Sequence, residues 1–159
     1  TKTNMINEIE TEYNKLSKKY KLPKFKEIDE EFEISSLETP NFLVRNALRK
    51  TAEKLEFYID VIGNLVHPDA SSLSSMYEIR FFSDDEKDNM YNLFKRLMEA
   101  NRNIIELVLE NNEKKQADFL NKFSIEWLDM KKELVFYIVK MKESWKKQST
   151  IEEDIAYFG

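Results

Sequence analysis

"LNKFSIEWLDMKKELVFYIVKMKESW", residues 120 to 145, carries Leu120, Phe123, Trp127, Met130, Leu134, Ile138, Met141 and Trp145 at steps of three and four. That step holds the side chains on one stripe of an α-helix, because 3.6 residues complete a turn. No proline or glycine interrupts the stretch. The pattern predicts one helix over about 113–147, ~50 Å long at ~1.5 Å per residue. Within it, residues 134–139 are apolar on every side. This helix is therefore expected to touch neighbours in several directions and to be the central element.

Working outward, Asn111-Asn112 breaks the pattern, since asparagine competes for backbone hydrogen bonds and suits helix caps better than interiors. The stripe before it, from Met90 and Phe94 to Ile105 and Val108, predicts a helix over 84–110. Ser83 and Glu86 fix its start as a capping box. Thr39-Pro40, a hydroxyl cap followed by a first-turn proline, predicts the start of a third long helix that runs to Val66 and stops before Pro68. Its buried side is marked by Ala47, Leu48, Leu55, Ile59 and Ile62. A fourth helix over 4–20 carries Ile9, Tyr13 and Leu16 on one face. Short helices are predicted near 24–33, with Phe25, Ile28 and Phe32, and near 73–81, with Met76 and Tyr77.

Composition agrees with this pattern. The 159 residues hold two glycines and three prolines, against roughly 11 and 8 at usual frequencies, and sheets with hairpins generally need more of both. The predicted class is all-α: an up-and-down bundle of about four longer helices with short connecting and C-terminal helices. A bundle domain is expected over 1–148. The tail, 149–159, follows as a short amphipathic helix in which Thr150 and Glu153 can form a second capping box.

The residue inventory narrows the chemistry. There is no cysteine, which removes disulfides, thiolate metal sites and thiol nucleophiles. His67 is the single histidine, so a three-histidine zinc site or the histidine pair of a di-iron bundle cannot be assembled. It is read as capping the end of a helix. Gly63 and Gly159 stand alone, so there is no glycine loop to cradle a phosphate. Paired carboxylates are the one enzymatic arrangement to weigh: Glu53 with Glu56 could face Asp85 with Asp88 around magnesium, but the pairs fall about ten residues out of register between antiparallel helices, or ~15 Å. No catalytic residue, metal ligand or cofactor is predicted. No run of 18 apolar residues occurs, so no membrane span is predicted and a cytoplasmic location is expected.

Two functional readings remain. In the first the chain is a non-catalytic protein-interaction or adaptor module. Its contact surfaces would be Glu30 and Glu31 on the acidic short helix and Ile151, Ile155, Tyr157 and Phe158 on the tail, with surplus apolar area near Val135 and Val139 available for a homodimer. The alternative is an RNA- or ribosome-associated factor. Lys15, Lys18, Lys19, Lys21, Lys24 and Lys26 alternate with Tyr20 and Phe25, and Lys146 and Lys147 flank Trp145, which combines backbone-neutralising charge with rings for stacking. The net charge of −5 weighs mildly against it.

Overall fold

A computed structural model describes residues 1–147 and Glu153, and among these there are helices and no strand. The order is α1 (Lys2–Tyr20), α2 (Phe25–Phe32), a 3-10 turn (Ile34–Ser36), α3 (Leu43–Val66), α4 (Leu73–Ile79), α5 (Asp84–Glu110) and α6 (Glu113–Ser144). The protein is an all-α helical bundle, as the periodicity predicts.

Helix ends follow local chemistry. Ser83 Oγ accepts from Glu86 N at 3.1 Å while Glu86 Oε1 accepts from Ser83 N at 2.9 Å, so both halves of the capping box close. The paired asparagines divide two tasks. Asn111 is left-handed (φ 54°) and donates its N–H to Leu107 O, ending α5, and Asn112 Oδ1 accepts from Lys115 N at 3.1 Å, starting α6. Lys21 (φ 56°) closes α1 and Glu33 (φ 55°) closes α2 in the same left-handed state. The start of α3 differs from the sequence reading. Thr39 Oγ1 accepts from Asn41 N at 3.1 Å and so closes a turn, Phe42 is left-handed (φ 51°) with Arg45 4.3 Å above its ring, and α3 begins only at Leu43.

Packing divides the described residues into two compact units, residues 1–56 with 99–128 and residues 57–98 with 129–147. The boundaries fall inside α3, α5 and α6, which is why no linker announces them in the sequence. The core of the first unit gathers Ile9, Tyr13, Ile28, Leu48, Leu120 and Phe123. Phe32 sits 5.8 Å from Trp127 and 6.2 Å from Phe123, as tilted ring pairs. The core of the second gathers Ile62, Leu65, Phe82, Met90, Leu97 and Leu134. Here Gly63 accommodates Phe94, whose ring edge would lie 3.1 Å from any Cβ at that position. His67 follows the end of α3, with its N–H on Gly63 O at 2.9 Å and its ring edge-on to Tyr91.

In α6 the stripe differs from the sequence reading beyond residue 134. Tyr137 is buried and Ile138 is exposed, as are Val135, Phe136 and Val139. The buried set therefore runs 120, 123, 127, 130, 134, 137, in alternating steps of three and four. Residues 134–139 are not enclosed on every side. No helix among the described residues is long and apolar enough to cross a membrane.

Candidate functional site

A groove of 670 Å³ lies in the first unit between α2 and α6, with the connection from α1 at one end. Hydrogen bonds set its shape. Tyr13 Oη donates to Pro23 O at 2.7 Å and Ser17 Oγ donates to Leu22 O at 3.1 Å, fixing the 21–24 connection as the end wall. Tyr13 also packs edge-on to Phe25 at 5.4 Å. Burial, with a smaller push from the charge of Glu27, raises the Tyr13 phenol above its ordinary range and keeps it a donor.

The long walls are pinned at both ends. Asn121 Nδ2 donates to Tyr20 O at 3.0 Å, and Trp127 Nε1 donates to Glu31 Oε2 at 2.7 Å. The first bond sets Asn121 beside the end of α1, next to Lys21, and the second sets Trp127, next to Leu128, beside Glu31 on α2. Ile28 and Phe32 lie at its base, while Ile125 and Leu128 line the α6 side and remain 72% and 51% exposed. Apolar side chains left open at a recess are a binding feature of interest, because scattered exposed leucines usually line nothing.

Placement sorts the acids of the short helix. Glu30 is exposed at the groove's edge and reaches Lys26 at only 4.0 Å. Glu27 is exposed as well. Glu31 turns its carboxylate inward to Trp127, and its carbonyl accepts from Lys54, whose ammonium also lies 5.6 Å from the Phe32 ring and 5.7 Å from the Trp127 ring. Glu31, expected from the sequence to be a contact residue, is half-buried at the groove and makes a bond that attaches α2 to α6.

Among the lysines, all of Lys15, Lys18, Lys19, Lys21, Lys24 and Lys26 are exposed. Several face carboxylates. Lys15 lies 3.7 Å from Glu12, and Lys19 lies 3.9 Å from Glu113 and 4.9 Å above the Tyr20 ring. Tyr20 Oη donates to Glu113 at 2.7 Å. In the second unit Lys146 pairs with Glu143 at 3.2 Å and Lys147 sits 4.6 Å from the Phe81 ring. Trp145 stacks on Tyr77 at 4.4 Å and donates to Glu78 at 3.2 Å. The rings interleaved with lysine are therefore engaged within their own units.

Ile151, Ile155, Tyr157 and Phe158 lie outside the described residues. Val135 and Val139 are exposed in the second unit. Glu53 pairs with Lys50 at 3.6 Å, as an acid on a solvated helix face does. Among the described residues no three histidine or acidic side chains stand close enough to hold a metal ion.

Sequence reasoning passed over Ile125 and Leu128. Their signal was that they are apolar yet fall off the 120–123–127–130 stripe. A smaller hollow of 390 Å³ in the same unit lies between α3 and α5, where Leu109 is exposed beside Arg49 and Glu53. No protein-family model, curated protein or solved structure matches this chain.

Proposed function

We propose that the chain is a non-catalytic protein-interaction module, an adaptor of cytoplasmic type, whose docking site is the groove between α2 and α6. The observation that carries this reading is the pair Ile125 and Leu128, open beside a recess already shaped by four hydrogen bonds from Tyr13, Ser17, Asn121 and Trp127. A preformed apolar groove lowers the ordering cost of binding, since no side chain or loop has to be assembled first. In this reading the tail residues Ile151, Ile155, Tyr157 and Phe158 form a second contact surface.

The test is a pulldown with the intact protein, with Ile125→Glu and with residues 149–159 deleted. Loss of partners on Ile125→Glu is expected, and loss on deletion would assign a share to the tail. Identical partner sets for all three proteins would end the reading. The RNA-associated alternative is tested by mixing the protein with a labelled RNA at low and moderate salt. Neutralised phosphates release counterions, so true binding would weaken steeply as salt rises. Absence of binding at ~50 mM salt removes it.

A further inference from the structure

We infer that the occupant of the α2–α6 groove is a single amphipathic helix of a partner protein, carrying apolar anchors one turn apart and a lysine or arginine at the end that meets Glu27 and Glu30. This rests on the docking reading above and adds the chemistry of the ligand.

The helical form follows from the walls. Both long sides are α-helices whose backbone groups are already bonded within each helix. An extended segment laid between them would find no ladder of donors and acceptors, and its own N–H and C=O groups would face an apolar floor unpaired. A helix satisfies its own backbone and offers side chains at steps of three and four, the step that separates Ile125 from Leu128. Length agrees as well. The eight residues of α2 extend ~12 Å, which matches two to three turns of a partner helix.

The charge requirement follows from how the groove's ends differ. Lys21 stands at the Asn121 end, before α2 begins, whereas Glu27 in the first turn of α2 and Glu30 one turn later stand along the α2 wall. The Glu31 carboxylate points to Trp127, so the exposed acids are Glu27 and Glu30. Lys26 lies 4.0 Å from Glu30 and both side chains are well exposed, which leaves the carboxylate open to a second cation. A base on the partner fits beside these acids and is repelled by Lys21. An acid gives the opposite result at both ends.

The experiment uses a phage-displayed library of random 16-residue peptides selected on the full chain. Enriched peptides are then resynthesised and titrated at ~100 mM salt against the intact protein, Ile125→Glu, Leu128→Ser and the double variant Glu27→Lys/Glu30→Lys. All four altered side chains are solvent-exposed, and far-UV circular dichroism with urea midpoints checks that each variant folds. Expected are peptides with apolar residues at i and i+3 or i+4 and a base at one end, which lose binding to both apolar variants and bind the charge-reversed variant about tenfold more weakly. Replacing the peptide's base by glutamate should restore binding to that variant. Peptides that need Ile125 and Leu128 but carry no base, or that ignore the charge reversal, overturn the inference and leave the docking reading intact. Peptides indifferent to both apolar variants, or no enrichment at all, overturn the two together.

Discussion

Trp127 and Trp145 each donate an indole N–H to a glutamate on a short helix, Glu31 on α2 at 2.7 Å and Glu78 on α4 at 3.2 Å, yet Trp127 is 1% exposed and Trp145 is 55% exposed. Trp127 is packed between Phe32 and Phe123, with Lys54 above its ring. Trp145 has Tyr77 on one face, and the Tyr77 hydroxyl donates to Ser144 O at 2.6 Å. The same donor and acceptor therefore do different things. Inside, the bond prevents an unpaired buried N–H, which costs ~1–3 kcal/mol; outside, water can replace it at little cost.

The largest expected effect is Trp127→Ala, a loss of ~3–5 kcal/mol in urea denaturation through the cavity it leaves. Trp145→Ala should cost under ~1 kcal/mol, since about half of that ring is already in water. Equal costs would break the comparison. Next comes the bond itself. Glu31→Ala removes the carboxylate that accepts from the Trp127 N–H and should cost ~1–3 kcal/mol, and a double-mutant cycle with Trp127→Phe should show coupling of at least ~0.5 kcal/mol. The corresponding cycle between Glu78 and Trp145 should show less.

Acid titration sharpens the contrast in the second unit. Partial burial raises the Glu78 carboxyl, with the Trp145 N–H opposing the shift. Its ionised form is thus less favoured in the fold, and the fold loses a little stability as pH rises through the carboxylate range. Glu86 shifts the other way. Lys140 within 2.6 Å of both carboxylate oxygens, helped by the Ser83 N–H, holds it below its ordinary value of 4.5. Its contribution is complete above that value and is lost as pH falls through the lowered one. Glu78→Gln should therefore leave stability unchanged or slightly higher at pH 7, with the difference vanishing in acid. Glu86→Gln should flatten the acid-side loss. Both are read from urea midpoints between pH 3 and pH 7 in ~1-unit steps.

The smallest expected effects concern how the two short helices end. Glu33 closes α2 in the left-handed region, whereas Arg80 closes α4 in the right-handed one (φ −65°) with its guanidinium over Tyr77 and Phe81. Glycine relieves a left-handed cap and loosens a right-handed one. Glu33→Gly should add ~0.5–1 kcal/mol, and Arg80→Gly should remove a similar amount. Shifts of the same sign would refute the distinction.

Much of this fold was readable because its signals are local. The Ser83–Glu86 box, the Asn111–Asn112 break and the spacing of Leu120, Phe123, Trp127 and Met130 each lie within a few residues, and each appears where the sequence puts it. Thr39-Pro40 misled because a hydroxyl before proline suits a turn as well as a helix start, and the left-handed Phe42 then delays α3. Residues 134–139 misled for another reason: a segment apolar all round has no phase, so choosing Ile138 over Tyr137 was a choice the pattern could not decide. The groove was not readable at all. It depends on α2 lying beside α6, fixed by bonds between residues about a hundred positions apart. Glu31 illustrates the same limit, since five neighbouring acids look alike until Trp127 selects one of them.

The two-asparagine link also bears on how the chain reaches this state. Gln116 Nε2 bonds Leu107 O at 3.0 Å and Lys115 meets Glu110 at 3.0 Å, joining residues only nine and five apart across the link. Contacts so near in sequence cost little chain entropy to close. This helical hairpin should therefore be an early nucleus, onto which α2 is added late through Glu31 and Trp127. Substitutions at Gln116 should slow refolding, while Glu31→Ala should chiefly hasten unfolding, and stopped-flow φ-values would show the order reversed if α2 arrives first.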